Sequence, residues 1–231
     1  MIVAAHQPNF APYMGFFYKM HVCDIFALSD TVQYSRSGYH NYNFICEKGQ
    51  NKKLTVPVGQ HSGSLRTVTL ANWEHNRKKI IKRISQNYSK TKYYDLIFPW
   101  LEDILICDYR TLIELNIELI RSIHNLMGFN CEIVLESDLG VSNEKSSTMQ
   151  IVEVCKKTNS SVYLSGTGAI EYLNPQELEN NGIRLLWSNY EPLDYDSVEN
   201  ASVIDYLFKC GAHIPQEWEN GKEVLKRGIY L

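Results

Sequence analysis

The segment His6-Gln7-Pro8-Asn9 sets an imidazole, two primary amides and a rigid proline directly after the short apolar run Ile2–Ala5. An imidazole near neutral pH serves as acid, base or hydrogen-bond donor, and amides orient a polar ligand through paired donors and acceptors. A second polar loop, Ser165-Gly166-Thr167-Gly168, follows a second apolar run, Val162–Leu164. Small residues let a ligand approach the backbone closely, so Ser165 and Gly166 are candidates for phosphate contact. This loop is no dinucleotide fingerprint, because Glu171 stands at the third glycine position, and no P-loop, because no Gly-Lys-Ser/Thr follows. Both loops also suit a purely structural reading, as a tight turn or as a loop tethered by its own side chains. A third group, Gln33, Tyr34, Asn41 and Asn43, lies in the polar and aromatic stretch Asp30–Asn43. Such density fits sugar or base recognition by stacking and directed hydrogen bonds, and equally a hairpin surface.

The elements that must position these residues follow from the hydrophobic pattern. Strand Ile2–Ala5, a polar loop, a helix over Tyr13–Met20 with Pro12 near its first turn, and strand Ile25–Leu28 form a βαβ signal. Short β-branched and aromatic runs at Val32–Tyr34, Tyr42–Cys46, Lys53–Val58 and Arg66–Leu70 predict an antiparallel extension, with a hairpin turn at Glu47–Asn51. Residues 72–128 carry helical periodicity in three stretches, Glu74–Tyr88, Tyr93–Ile106 and Tyr109–Met127, closed by Gly128 as a C-cap. Asn116, beside the apolar stripe of the last stretch, is read as a satisfied core amide. The remainder returns to α/β: strand Cys131–Leu135, helix Met149–Lys157, strand Val162–Leu164, a short helix Pro175–Asn180 and strand Arg184–Trp187. The expectation is an α/β fold with a parallel-sheet core of nucleotidylyltransferase-like or Rossmann-like type, an antiparallel extension and a helical insertion. The core takes about 1–70 and 129–211, and the helical segment about 72–128. Ligands of open α/β sheets bind beyond the carboxyl ends of the strands, so His6, Gln7, Asn9, Gln33 and Ser165 should line one cleft.

Composition narrows the function classes. Of 231 residues, 44% are hydrophobic and 21% charged, with a net charge of −3, so no strong basic field is present to hold a nucleic acid. The basic cluster Arg77, Lys78, Lys79, Lys82 and Arg83 reads as a solvated helix face. No run approaches a membrane span, and the start lacks the basic and long apolar regions of a signal peptide. The six cysteines are unpaired in spacing, which suggests reduced thiols and a cytoplasmic location. No CxxC pair or HExxH spacing occurs, so no tightly bound metal is expected; a cofactor is not defined by the sequence.

The motifs His6-Gln-Pro-Asn-Phe-Ala-Pro-Tyr-Met-Gly15-Phe-Phe-Tyr-Lys19, Asp30-Thr-Val-Gln33-Tyr34 and Asn41-Tyr-Asn43 resemble those of the WbqC family. Leu54–Val58, Gln86-Asn87-Tyr88, Tyr163-Leu-Ser-Gly166 with Tyr172, and Asp205–Gly211 fall in the order that family shows. The resemblance covers roughly residues 1–211 and reads the chain, 1–231, as a single WbqC-like domain. Two departures are Lys209 within the last motif and Ser146-Ser-Thr148 after Lys145, where an arginine is missing. A weaker, fold-level analogy to nucleotidylyltransferases lacks the HxGH signature, since Tyr13 and Phe16 fall on its two histidines.

The resemblance implies an enzyme of surface-polysaccharide (O-antigen, lipopolysaccharide) biosynthesis. The chemistry expected is acyl or aminoacyl transfer to the amine of a nucleotide-linked amino sugar, with that sugar nucleotide and an activated acyl donor as partners. In this reading His6 is the acid/base or oxyanion donor. Gln7, Asn9, Gln33, Tyr34, Asn41 and Asn43 orient the substrate, and Lys145, Ser165 and Gly166 meet phosphates. The alternative is a non-catalytic sugar-nucleotide-binding or glycan-assembly factor. A glycosyltransferase fits less well, because Asp194-Tyr-Asp196 lies beyond the strand ends.

Overall fold

The computed structural model describes residues 1–60, 62–141, 146–188 and 190–218. Its centre is a five-stranded, all-parallel sheet. The strands are β1 (Ile2–His6), β2 (Ile25–Leu28), β5 (Glu132–Leu135), β6 (Val162–Ser165) and β7 (Arg184–Trp187), in the order β5-β2-β1-β6-β7. The central strands are nearly continuous apolar runs because parallel strands are covered on both faces. Alternate residues sort accordingly. Ala4, Phe26 and Leu164 pack on one side against helix α1 (Met14–Val22), and Val3, Ala27 and Tyr163 pack on the other against α6 (Ser147–Lys157) and α7 (Pro175–Asn180).

Between β2 and β5 the chain builds an antiparallel hairpin, β3 (Tyr42–Glu47) and β4 (Gln50–Thr55), then helices α2 (Trp73–Tyr88), α3 (Tyr94–Leu105) and α4 (Leu112–Met127). Gly128 ends α4 with a left-handed φ of 72°, as its place after the apolar stripe predicts, and Thr111 with Glu114 closes a capping box at the other end. A one-turn helix α5 (Glu136–Leu139) follows β5, and α8 (Val203–Cys210) completes the packing.

Two expected strands do not form. Arg66–Leu70 opens as a 3-10 turn, Leu65–Thr67, because Arg66 turns its guanidinium onto Asp30 at 2.6 Å and the following amides pair with scattered segments. Val32–Tyr34 makes one isolated bridge, Gln33 to Ser64. The expected strand Lys53–Val58 starts earlier and stops at Thr55, two residues before Pro57, which has no N–H to give a ladder. Helices α5 and α8 are additions to the sequence reading.

All six cysteines are free. Cys23 and Cys131 lie in contact in the core; burial pushes the Cys23 thiol up, while its hydrogen bond lowers Cys131 to about 7. Titration with a thiol reagent under denaturing, non-reducing conditions should therefore find six thiols, and recovery of two or fewer would contradict this. Among the described residues, no helix is long and apolar enough to cross a membrane.

Candidate functional site

The chain order reverses between β1 and β6: β1 leads outward to β2 and β5, and β6 leads the other way to β7. Crevices of open α/β sheets form at such a switch point. The residues at the carboxyl ends of four neighbouring strands meet there: Glu136 after β5, Ser29 after β2, His6 and Gln7 at the end of β1, and Ser165 with Gly166 at the end of β6. The cavity they line holds about 580 Å³, within the range of small-molecule sites.

The His6 loop is held from below. Asn116 is fully buried and its Nδ2 donates to the carbonyls of Pro8 and His40, both at 2.8 Å. Asn43 and Ser202 donate to the carbonyl of Ala11, at 2.8 Å each, and fix that residue at a positive φ of 42°. Placing a non-glycine residue there costs on the order of 1–2 kcal/mol, which these bonds offset. Replacing Asn116 with leucine removes both donors and strands two buried carbonyls. Denaturant unfolding should show a loss of about 2–4 kcal/mol; a change below about 1 kcal/mol would mean that water replaces the amide.

The hydrogen bonds also fix proton positions. His6 Nδ1 stands 2.9 Å from the Gln7 carbonyl, which only accepts, so the neutral ring carries its proton on Nδ1 and leaves Nε2 bare. Burial first, and the charge of Lys19 second, push the His6 pKa down to about 3. His40 accepts from the Ser35 amide at Nδ1 and donates from Nε2 to Gln7 Oε1 at 2.7 Å; burial lowers its pKa to about 4. Both histidines are thus uncharged at neutral pH, and the Gln7 NH2 remains a donor at the cavity.

Two charged residues that sequence reasoning did not single out stand at this cavity. Glu136 is 4% exposed; burial, reinforced by the charge of Asp30 and opposed by a 2.8 Å hydrogen bond from the Ser29 hydroxyl, raises its pKa to about 7. Asp30, 1% exposed, accepts from Arg66 and from the Ser137 amide at 3.0 Å, so it also sets the turn that presents Glu136. Lys19, 4% exposed, reaches the cavity from α1 with its Nζ 5.7 Å from the centre of the Phe26 ring. Its desolvation lowers its pKa to about 8.

Of the residues expected at the site, His6, Gln7, Asn9, Ser165 and Gly166 line the cavity. Gln33, Tyr34, Asn41 and Asn43 are not among its lining. Gln33 is exposed and bridged to Ser64; Tyr34 donates to Asn41 Oδ1 at 2.9 Å; Asn41 donates to the Val56 carbonyl and Asn43 to that of Ala11, so the amides of these two asparagines are spent on the backbone. Lys145 lies outside the described residues. Gly166 has an ordinary φ of −78°, and a Cβ built on it or on Gly168 meets nothing within 4 Å, so the space over this loop is open. Tyr39 and Tyr172, the latter 61% exposed, present rings at the cavity margin.

The chain belongs to the WbqC-like protein family, whose model matches residues 7–217 and so takes in every lining residue except Ala5 and His6. It is 26% identical over 223 residues to the uncharacterized protein Rv1507c of Mycobacterium tuberculosis (strain ATCC 25618 / H37Rv), an alignment that covers 92% of this chain and 95% of that protein. No solved structure matches the chain. Family membership supports a broad biosynthetic role.

Proposed function

We propose that the chain transfers an acyl or aminoacyl group to the amine of a nucleotide-linked amino sugar in surface-polysaccharide biosynthesis, with Glu136 as the proton acceptor. The observation that carries this reading is a buried carboxyl group on the cavity, held by Ser29, whose pKa of about 7 lets it take a proton near neutral pH. Transfer to an amine needs such a group. As the C–N bond forms, the nitrogen gives its proton to the Glu136 carboxylate, and the bond from the acyl carbon to its leaving group breaks with the electron pair leaving on that group.

His6 enters this scheme in a different role from the one its type first suggests. With a pKa of about 3 it is a poor proton acceptor, and with Nδ1–H bound to the Gln7 carbonyl its bare Nε2 accepts a hydrogen bond from the substrate. Gln7 and Asn9 orient the sugar beside it, and the open backbone of Ser165–Gly168 admits the ligand at the other wall. Asn41, Asn43 and Asn116 act on the substrate through the loops they hold. Activated acyl donors of several chemistries, incubated with UDP- or dTDP-linked amino sugars, test the proposal by mass spectrometry. An acyl mass gain on the amino sugar, absent with the matching hydroxyl sugar, is expected; no gain across the panel would overturn it. A pure sugar-nucleotide binder would instead bind the same compounds and leave their masses unchanged.

A further inference from the structure

We propose that Lys19 is the counter-charge of the substrate's diphosphate, so that the nucleotide-linked sugar lies with its phosphates against α1 and its amine toward Glu136. This rests on the reading of the cavity as a nucleotide-sugar site and adds the orientation. The Lys19 ammonium is buried at the cavity with no ion pair and no hydrogen bond among the described residues, and it lies over the face of Phe26. A lysine so placed gives up hydration without a counter-ion, a cost that a bound anion offsets.

The neighbouring groups favour a polyanion. His6 and Lys19 are close enough for the lysine charge to act on the ring. The single carboxylate among the described lining residues, Glu136, follows β5, two strands from β1 and its His6. The same cavity offers the Gln7 NH2, whose partner oxygen is taken by His40, and the tyrosine residues Tyr13 and Tyr39. Asn9 adds a buried Oδ1 with no partner among the described residues, an acceptor suited to a ribose or sugar hydroxyl. One ammonium and several neutral donors match the spread charge of a diphosphate, for which lysine acts as a point charge.

Calorimetric titration of the whole chain with UDP and with uridine tests this. Wild type should bind UDP at least tenfold more tightly than uridine, and Lys19→Gln should lose at least thirtyfold in UDP affinity while binding uridine as before. UDP bound within threefold by the variant, or no more tightly than uridine by wild type, would overturn the assignment. A measurement on wild type alone guards against a variant that fails to fold. The 13Cε resonance of Lys19 in 13C-lysine-labelled protein should titrate at a higher midpoint when inorganic pyrophosphate is added, and an unmoved midpoint would overturn it too. The two readings fail separately. UDP binding indifferent to Lys19 removes the orientation and leaves acyl transfer standing, whereas a Lys19 response without acyl transfer to any amino sugar removes the reaction and leaves the anion site.

Discussion

Replacing Glu136 with glutamine should cut transfer to the sugar amine by a factor of about 10² to 10⁴, the range of a lost general base, while raising stability at pH 8. Opposite effects on rate and stability mark a group whose charge is held for chemistry. The wild-type pH profile should rise through about pH 7, where the carboxyl ionises, and the glutamine variant should lose that limb. The stability effect follows from linkage. The folded pKa lies above the ordinary 4.5, so the folded state binds the extra proton between 4.5 and about 7. The neutral group's advantage is complete below 4.5 and is lost as pH rises through about 7, so the carboxylate is a liability at pH 8 that glutamine removes. A shift of this size corresponds to at most about 3 kcal/mol, and water entering the cavity reduces it. Melting curves at pH 8 and at pH 4.5 should show the variant ahead at the first and level at the second. A variant that melts lower at pH 8 would make Glu136 a structural ion.

The second large effect is expected at Gly166. Valine there meets no neighbour and needs no unusual φ, so the melting temperature should stay within the range of a surface change, about 0.5 kcal/mol. Its branched side chain fills the open space over the end of β6, and the rise in melting temperature produced by UDP-linked amino sugar should be lost. A variant that melts much lower yet keeps the full ligand-induced rise would show that the glycine serves the turn and not the ligand.

How much of this was legible in the sequence depends on the range of the interaction. Ile2–Ala5 and Val162–Leu164 are short apolar runs followed by polar loops, a pattern read locally, and that was enough to bring His6 and Ser165 to one edge of one sheet. Gly128 was equally plain, since a glycine after an apolar stripe ends a helix. In the sequence Lys19 is only the last residue of the opening motif; its burial against Phe26, on the strand that follows its helix, is a tertiary contact that no local pattern shows. Glu136 sits one residue past a strand, and its raised pKa comes first from burial and then from the charge of Asp30, more than a hundred residues away and working against the Ser29 hydrogen bond. The amides of the Asp30–Asn43 stretch carry a signal that substrate contact and backbone support share, and only the partners Val56 and Ala11 distinguish them. The failed strand at Arg66–Leu70 has the same origin: the sequence shows a β-rich run and hides the ion pair with Asp30.

A crystal structure of the chain soaked with a UDP-linked amino sugar measures directly where the sugar amine lies. The amine nitrogen should lie within hydrogen-bond reach of the Glu136 carboxyl, about 3 Å, or one water away. A ligand in the cavity with its amine turned to solvent, or one bound to another surface with the cavity empty, would contradict it.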